Sequence, residues 1–326
     1  MESSSASTPP RADRRPDTKY SRHSILALRQ FLGYGGGLGP WSDFPGVDFG
    51  TKLPNSVMGD FMFVAVDIDT PLARTQGIPD QPFTMGVSTL DTRALLDFST
   101  KSPTAPQLDL AIRSYQFKIG PCSSDEEDAE EFLFGSNEEM PVSNIRQIIQ
   151  FLVHGRDYIT VGHSAASGLE FLRHLQVDGK LLYSIDTMEA ARRPLRLHYR
   201  YNLPKFLNLL QISLPRTTCA GNNAHLILQA LLMIAAKDAV QIRPRSSQFP
   251  YLQHFKAIAQ THRPLTIAVE RVFQYRKLKE QLKLEGQRFV GRIGPRSTAR
   301  RRTECRTPTP PPSPRLAKRL CTRTIS

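Results

Sequence analysis

The run FMFVAVDID at residues 61–69 constrains this chain more than any other stretch. β-Branched and aromatic side chains at almost every position describe a strand buried on both faces, which requires cover above and below a sheet. The run ends in acids. Side chains alternate along a strand, so Asp67 and Asp69 point to the same face. Two carboxylates at the end of a buried strand are costly unless something cationic neutralises them. A divalent metal is one reading, and a capping or turn role for Asp69 ahead of Thr70 and Pro71 is the other. The two residues alone leave both open.

The rest of the chain supplies the layers such a strand needs. Residues 83–90 read as a second strand, followed by a turn at Asp91, Thr92 and Arg93, and residues 112–119 as a third. Three strands with short connections predict an antiparallel meander. Beyond them the pattern alternates, with helices at 142–153 and 165–175 and strands at 158–161 and 180–185. Two more helices follow at 203–210 and 224–236. The expectation is an α/β fold, a mixed sheet of three antiparallel strands then parallel strands, with helices on both faces.

The formal net charge of +13 sits almost wholly in the ends. Residues 1–24 hold 5 basic and 3 acidic groups and residues 288–326 hold 11 and 1, so the remainder carries about +1. The core domain is therefore not expected to be basic overall. Residues 1–24 have little to bury and are expected to be disordered, and residues 25–57 form a lead-in packing on the domain at 58–240. Gly35, Gly36 and Gly37 lack the preceding strand and following Lys-Ser/Thr of a phosphate cradle, and read as a turn. Residues 123–140 carry eight carboxylates and read as a mobile acidic loop, pinned to the domain or to a partner by Phe132, Leu133 and Phe134. Residues 241–287 read as a helical extension whose stretch 258–285 has one apolar and one basic face. The longest nearly apolar run, 226–236, is shorter than the ~20 residues a bilayer demands, and no secretory leader is visible. An intracellular protein is expected, not secreted and not a membrane partner. Cys122, Cys219, Cys305 and Cys321 are too scattered for a disulfide framework or zinc knuckle.

Five stretches in order, FVAVDID, VSTLDTR, VGHSAASGLEFL, SIDT and TCAGNNAHLILQALL, resemble the DEDD 3′-to-5′ exonuclease superfamily of ribonuclease H-like fold. They are most similar to a fungal branch related to a yeast factor linked to messenger RNA export. The resemblance implies four carboxylates holding two divalent ions, with a histidine or tyrosine taking a proton from the attacking water. Carried over by position, Asp67 keeps the first acid and Asp69 stands where the family has Glu. Gly168 stands at the third acid, Asn223 at the fourth and Thr218 at the histidine. The resemblance thus implies no confident catalytic residue and no confident cofactor, at most one weakly held Mg²⁺ or Mn²⁺ on Asp67 and Asp69. Glu170 and His225 lie two positions beyond Gly168 and Asn223, a step that turns a helical side chain away. His163 reads as a capping or core residue, Asp186 as a helix cap, and Cys219 lacks a neighbouring base.

In the tail, Arg300, Arg301 and Arg302, then Arg315, Lys318 and Arg319, form two basic clusters around a proline-rich spacer. This is the look of a bipartite nuclear import signal or a nucleic-acid arm. Thr307, Thr309 and Ser313 precede prolines and are candidate phosphorylation sites. The expectation is a non-catalytic exonuclease-like module that binds nucleic acid, RNA in particular, in the nucleus or otherwise the cytoplasm. The alternatives are a metal-dependent 3′-to-5′ exonuclease using Asp67, Asp69 and Glu170, and an adaptor that binds protein through the acidic loop or the helical extension.

Overall fold

The computed structural model describes residues 23–35, 47–69, 82–100, 103–120, 132–135, 137–153, 155–163, 171–172, 175, 177–214, 219–242 and 251–261. Contacts divide the chain into units at 1–274 and 275–326, and every described residue lies in the first. The N-terminal 1–22, the acidic residues 121–131, the amphipathic stretch from 262 and the basic tail lie outside the described residues.

Six strands form one sheet: β1 (Met62–Ile68), β2 (Phe83–Asp91), β3 (Ile112–Ile119), β4 (Asn137–Met140), β5 (Tyr158–Gly162) and β6 (Leu181–Asp186). Their order across the sheet is β4-β3-β2-β1-β5-β6. β2 is antiparallel to both its neighbours, while β1–β5, β5–β6 and β3–β4 pair in parallel. β2 alone therefore runs against the other five, and the carboxyl ends of β1, β3, β5 and β6 share one edge. The expected mixed α/β sheet is present.

The connections differ from the expected meander. In place of a turn at 91–93, α2 (Thr92–Thr100) and α3 (Ala105–Asp109) lie between β2 and β3. Thr92 switches the chain from strand to helix: its hydroxyl donates to the Phe61 carbonyl at 2.8 Å and accepts from the Phe61 N–H at 3.1 Å. The acidic stretch is also not all loop. Residues 137–140 form edge strand β4, whose one buried side chain, Met140, anchors an otherwise polar run.

The long helix α7 (Ala220–Ile242) crosses the sheet over β1, β2 and β3. On that face the strands present small or polar residues, Ala65, Gly86, Ser88, Ser114 and Gln116, so the helix can sit low. At 23 residues α7 is long and apolar enough to span a bilayer, contrary to the length read from 226–236, yet 72% of its most apolar window is buried within the fold. Its apolar residues serve the core. The lead-in helix α1 (His23–Phe31) repeats apolar side chains every three or four positions and buries Ile25, Leu28 and Phe31 in the same core. α8 (Tyr251–Ala259) packs on α7 from the far side of the 58–240 span. α4 (Ile145–Val153), α5 (Thr187–Ala191) and α6 (Leu203–Leu210) complete the helical layers.

Candidate functional site

The site forms where β1 meets the start of α7. Asp67 is half-buried at the end of β1 and stands opposite Gly86 of β2. A side chain at Gly86 would place its Cβ 2.0 Å from the Ala220 carbonyl oxygen and 2.4 Å from the Gly221 nitrogen. Only hydrogen fits there. The missing methyl lets the first turn of α7 rest on β2 and brings Asn223 over Asp67. The Asn223 Nδ2 donates to Asp67 Oδ2 at 2.9 Å. A carboxylate has no proton to offer, so the amide must turn its nitrogen toward it. Asp69 lies just past the strand, exposed, its N–H donating to the Thr84 carbonyl at 3.0 Å. Partial desolvation raises its carboxyl pKa.

Polar side chains hold the start of α7 in place. Gln116 of β3 accepts from the Gly221 N–H at 2.8 Å and donates to Asn137 Oδ1 of β4 at 2.8 Å. Asn222 accepts from the Leu133 N–H at 3.0 Å. Phe132 and Phe134 bury beside Cys219, and Phe134 stacks on the His225 ring at a centroid distance of 3.6 Å. Of the two anchorages the sequence left open, the aromatic residues at the end of the acidic stretch take the one on the domain. His225 sits in the core, where its Nδ1 shares a 2.8 Å hydrogen bond with the Ser114 hydroxyl, itself bonded to Ser88. Cys219 is buried and in no disulfide.

On the neighbouring strand, His163 follows β5. Ala65 pairs with Val161, so Asp67 and His163 each lie two residues beyond the last paired position, on parallel strands. His163 Nε2 donates to the Tyr201 carbonyl at 3.0 Å, and Nδ1 lies 2.9 Å from the Thr187 hydroxyl. Burial pushes its pKa down. Both nitrogens serve structure. Asp186 caps α5, accepting from the Met188 N–H at 2.8 Å.

Of the residues singled out in the sequence, Asp67 and Asn223 are brought into contact, with Asp69 beside them. Gly168, Glu170, Thr218 and the tail residues Arg300, Arg301, Arg302, Arg315, Lys318 and Arg319 lie outside the described residues. Among the described residues, no three His, Cys, Asp or Glu side chains converge as a metal cluster would. Sequence reasoning passed over Gly86, Gln116 and Asn222. A lone glycine inside the strand run FTMGVSTL was the available signal, since it marks close backbone approach.

A sheet with one reversed strand, a carboxylate at the end of its central strand and a long helix delivering a polar side chain to it define a ribonuclease H-like domain. The family model described as DEDDh_C, DNA polymerase III subunit epsilon-like, C-terminal domain, matches residues 62–234. That span covers more than half the chain, and the chain belongs to this family within the DEDD exonuclease superfamily. No curated protein matches the chain.

Proposed function

We propose that this chain is an exonuclease-like module that binds nucleic acid, RNA in particular, without hydrolysing it. The hydrogen bond from Asn223 to Asp67 carries the reading. An amide N–H occupies the Asp67 oxygen on the side from which α7 would otherwise bring a fourth carboxylate. The residues do not suit a pair of divalent ions. Two such ions bring four positive charges, and Asp67 with Asp69 compensates half of them. Gly168 offers no ligand, and Thr218 no proton acceptor of useful basicity. Loss of the acceptor alone forfeits roughly 10²- to 10⁴-fold in rate.

Affinity on this reading comes largely from the arginines of residues 288–326, whose two clusters also suit nuclear import, and the sequence pattern fits the fungal branch of such domains. The test is incubation of the full chain with 5′-labelled single-stranded RNA in Mn²⁺. Complex formation without shortening is expected, and removal of residues 288–326 weakens binding and flattens its salt dependence. Stepwise loss from the 3′ end, abolished by Asp67→Ala, would overturn the reading in favour of a working exonuclease.

A further inference from the structure

The segment between α5 and α6 gathers basic charge on the folded domain. Residues 192–205 contain Arg192, Arg193, Arg196, Arg200 and Lys205 with no carboxylate, in a 58–240 span that otherwise holds 11 basic and 21 acidic residues. Glu189 beneath them, largely buried, takes Arg200 at 3.3 Å and Arg192 at 3.5 Å. Arg193, Arg196 and Lys205 are exposed and have no ion-pair partner among the described residues. Tyr199 stands 62% exposed in their midst.

The backbone that carries these groups is fixed. The Leu195 N–H donates to the Ala191 carbonyl at 3.0 Å and the Leu197 N–H to the Arg192 carbonyl at 2.9 Å, with Arg196 held at φ +52°. Leu195, Leu197 and Tyr201 pack on the core. Asn202 caps α6 by accepting from the Lys205 N–H at 3.2 Å. The Tyr201 carbonyl is bound by His163, on the strand beside Asp67 and at the same level. Parallel strands lie about 5 Å apart, so the Tyr201 end of the segment lies near the rim of the site built on Asp67.

We propose that residues 192–205 form a binding surface for single-stranded nucleic acid, with Arg193, Arg196 and Lys205 on successive phosphates and Tyr199 stacked on a base. The surface rests on the nucleic-acid reading above and places part of the affinity on the folded domain, apart from the tail. Guanidinium groups match phosphate geometry, and a tyrosine face stacks on any base, so the surface binds without reading sequence. A duplex hides its bases in the stack and cannot use Tyr199.

The test compares the full chain with Arg193→Gln/Arg196→Gln/Lys205→Gln and with Tyr199→Ala. Anisotropy of a labelled oligouridylate is followed across a salt series, with circular dichroism checking that each variant is folded. The triple variant should bind about tenfold or more weakly, and its salt slope should shrink by about 2, at ~0.7 per phosphate contact. Tyr199→Ala should lose about tenfold for the single strand and little for a duplex. Wild-type affinity and slope in the triple variant would overturn the surface while leaving nucleic-acid binding by the chain intact. Absence of binding by the full chain would overturn both. A single-strand affinity untouched by Tyr199→Ala would refute the stacking. Displacement of the RNA by a polyglutamate peptide as effective as unlabelled RNA would reassign the surface to an acidic protein partner.

Discussion

Asn223 and His163 show how much hangs on single side chains at this edge of the sheet. Asn223→Asp would face Asp67 with a second carboxylate, raising the pair's proton affinity in the folded state above that of the unfolded chain. The folded variant then binds more protons, so its stability falls as pH rises above the ordinary carboxylate range. We expect a loss of about 1–2 kcal/mol at neutral pH, recovered on acidification and in part by Mn²⁺, measured by thermal unfolding. His163 works in the opposite direction. Its folded pKa is depressed by burial, so its contribution is complete above the unfolded value of about 6.5 and is lost as pH falls below it. His163→Gln should flatten the stability profile in that window relative to wild type. Burial also depresses His254, and this term cancels between the two proteins. The sequence showed Asn223 as an amide at an acid's position. Its contact with Asp67 was not legible, because that depends on how low α7 sits over Gly86.

At the level of elements, the apolar runs were readable and the polar ones were not. β1 announces itself through a continuous apolar run, β3 through alternation and α6 through helical spacing, and the extents expected for β3 and α6 coincide with those observed. β4 consists of Asn, Glu, Glu and Met, and its existence depends on hydrogen bonds to β3 that no periodicity reports. α2 begins at a Thr whose partner, Phe61, lies 31 residues away. The same distant matching decides how α7 docks. Gly86→Ala would drive a methyl into the Ala220 carbonyl, and backbone cannot yield as a side chain can. A loss of about 3 kcal/mol is expected in urea unfolding, together with detachment of Asn223 from Asp67. Gly221→Ala meets side chains only, the buried Phe132 ring and Gln116 Oε1, which can give more readily than backbone, so its cost should be smaller. Asp186→Ala, which removes the cap of α5, should cost about 1 kcal/mol.

Across the whole molecule, the core reaches past the strands at both ends of the chain order. Arg29 of α1 grips Asp238 of α7 through two hydrogen bonds of 2.8 and 2.9 Å, and the Tyr34 hydroxyl adds a third at 3.0 Å. Tyr251 of α8 donates to the Leu32 carbonyl at 3.0 Å. A protein cut to residues 58–240 would lose all of these and leave Asp238 buried without its partners, so it should fail to give a cooperative unfolding transition. Asp238→Ala in the full chain should cost about 3 kcal/mol or more, because the Arg29 guanidinium would be left buried and uncompensated. Fifteen residues of helix, some 22 Å, separate Asp238 from Asn223. One rod is therefore bolted at its near end to the strand bearing Asp67 and at its far end to the helix that opens the fold. Loosening either bolt frees the other, and amide exchange along the rod should speed up as a unit when Arg29 alone is replaced.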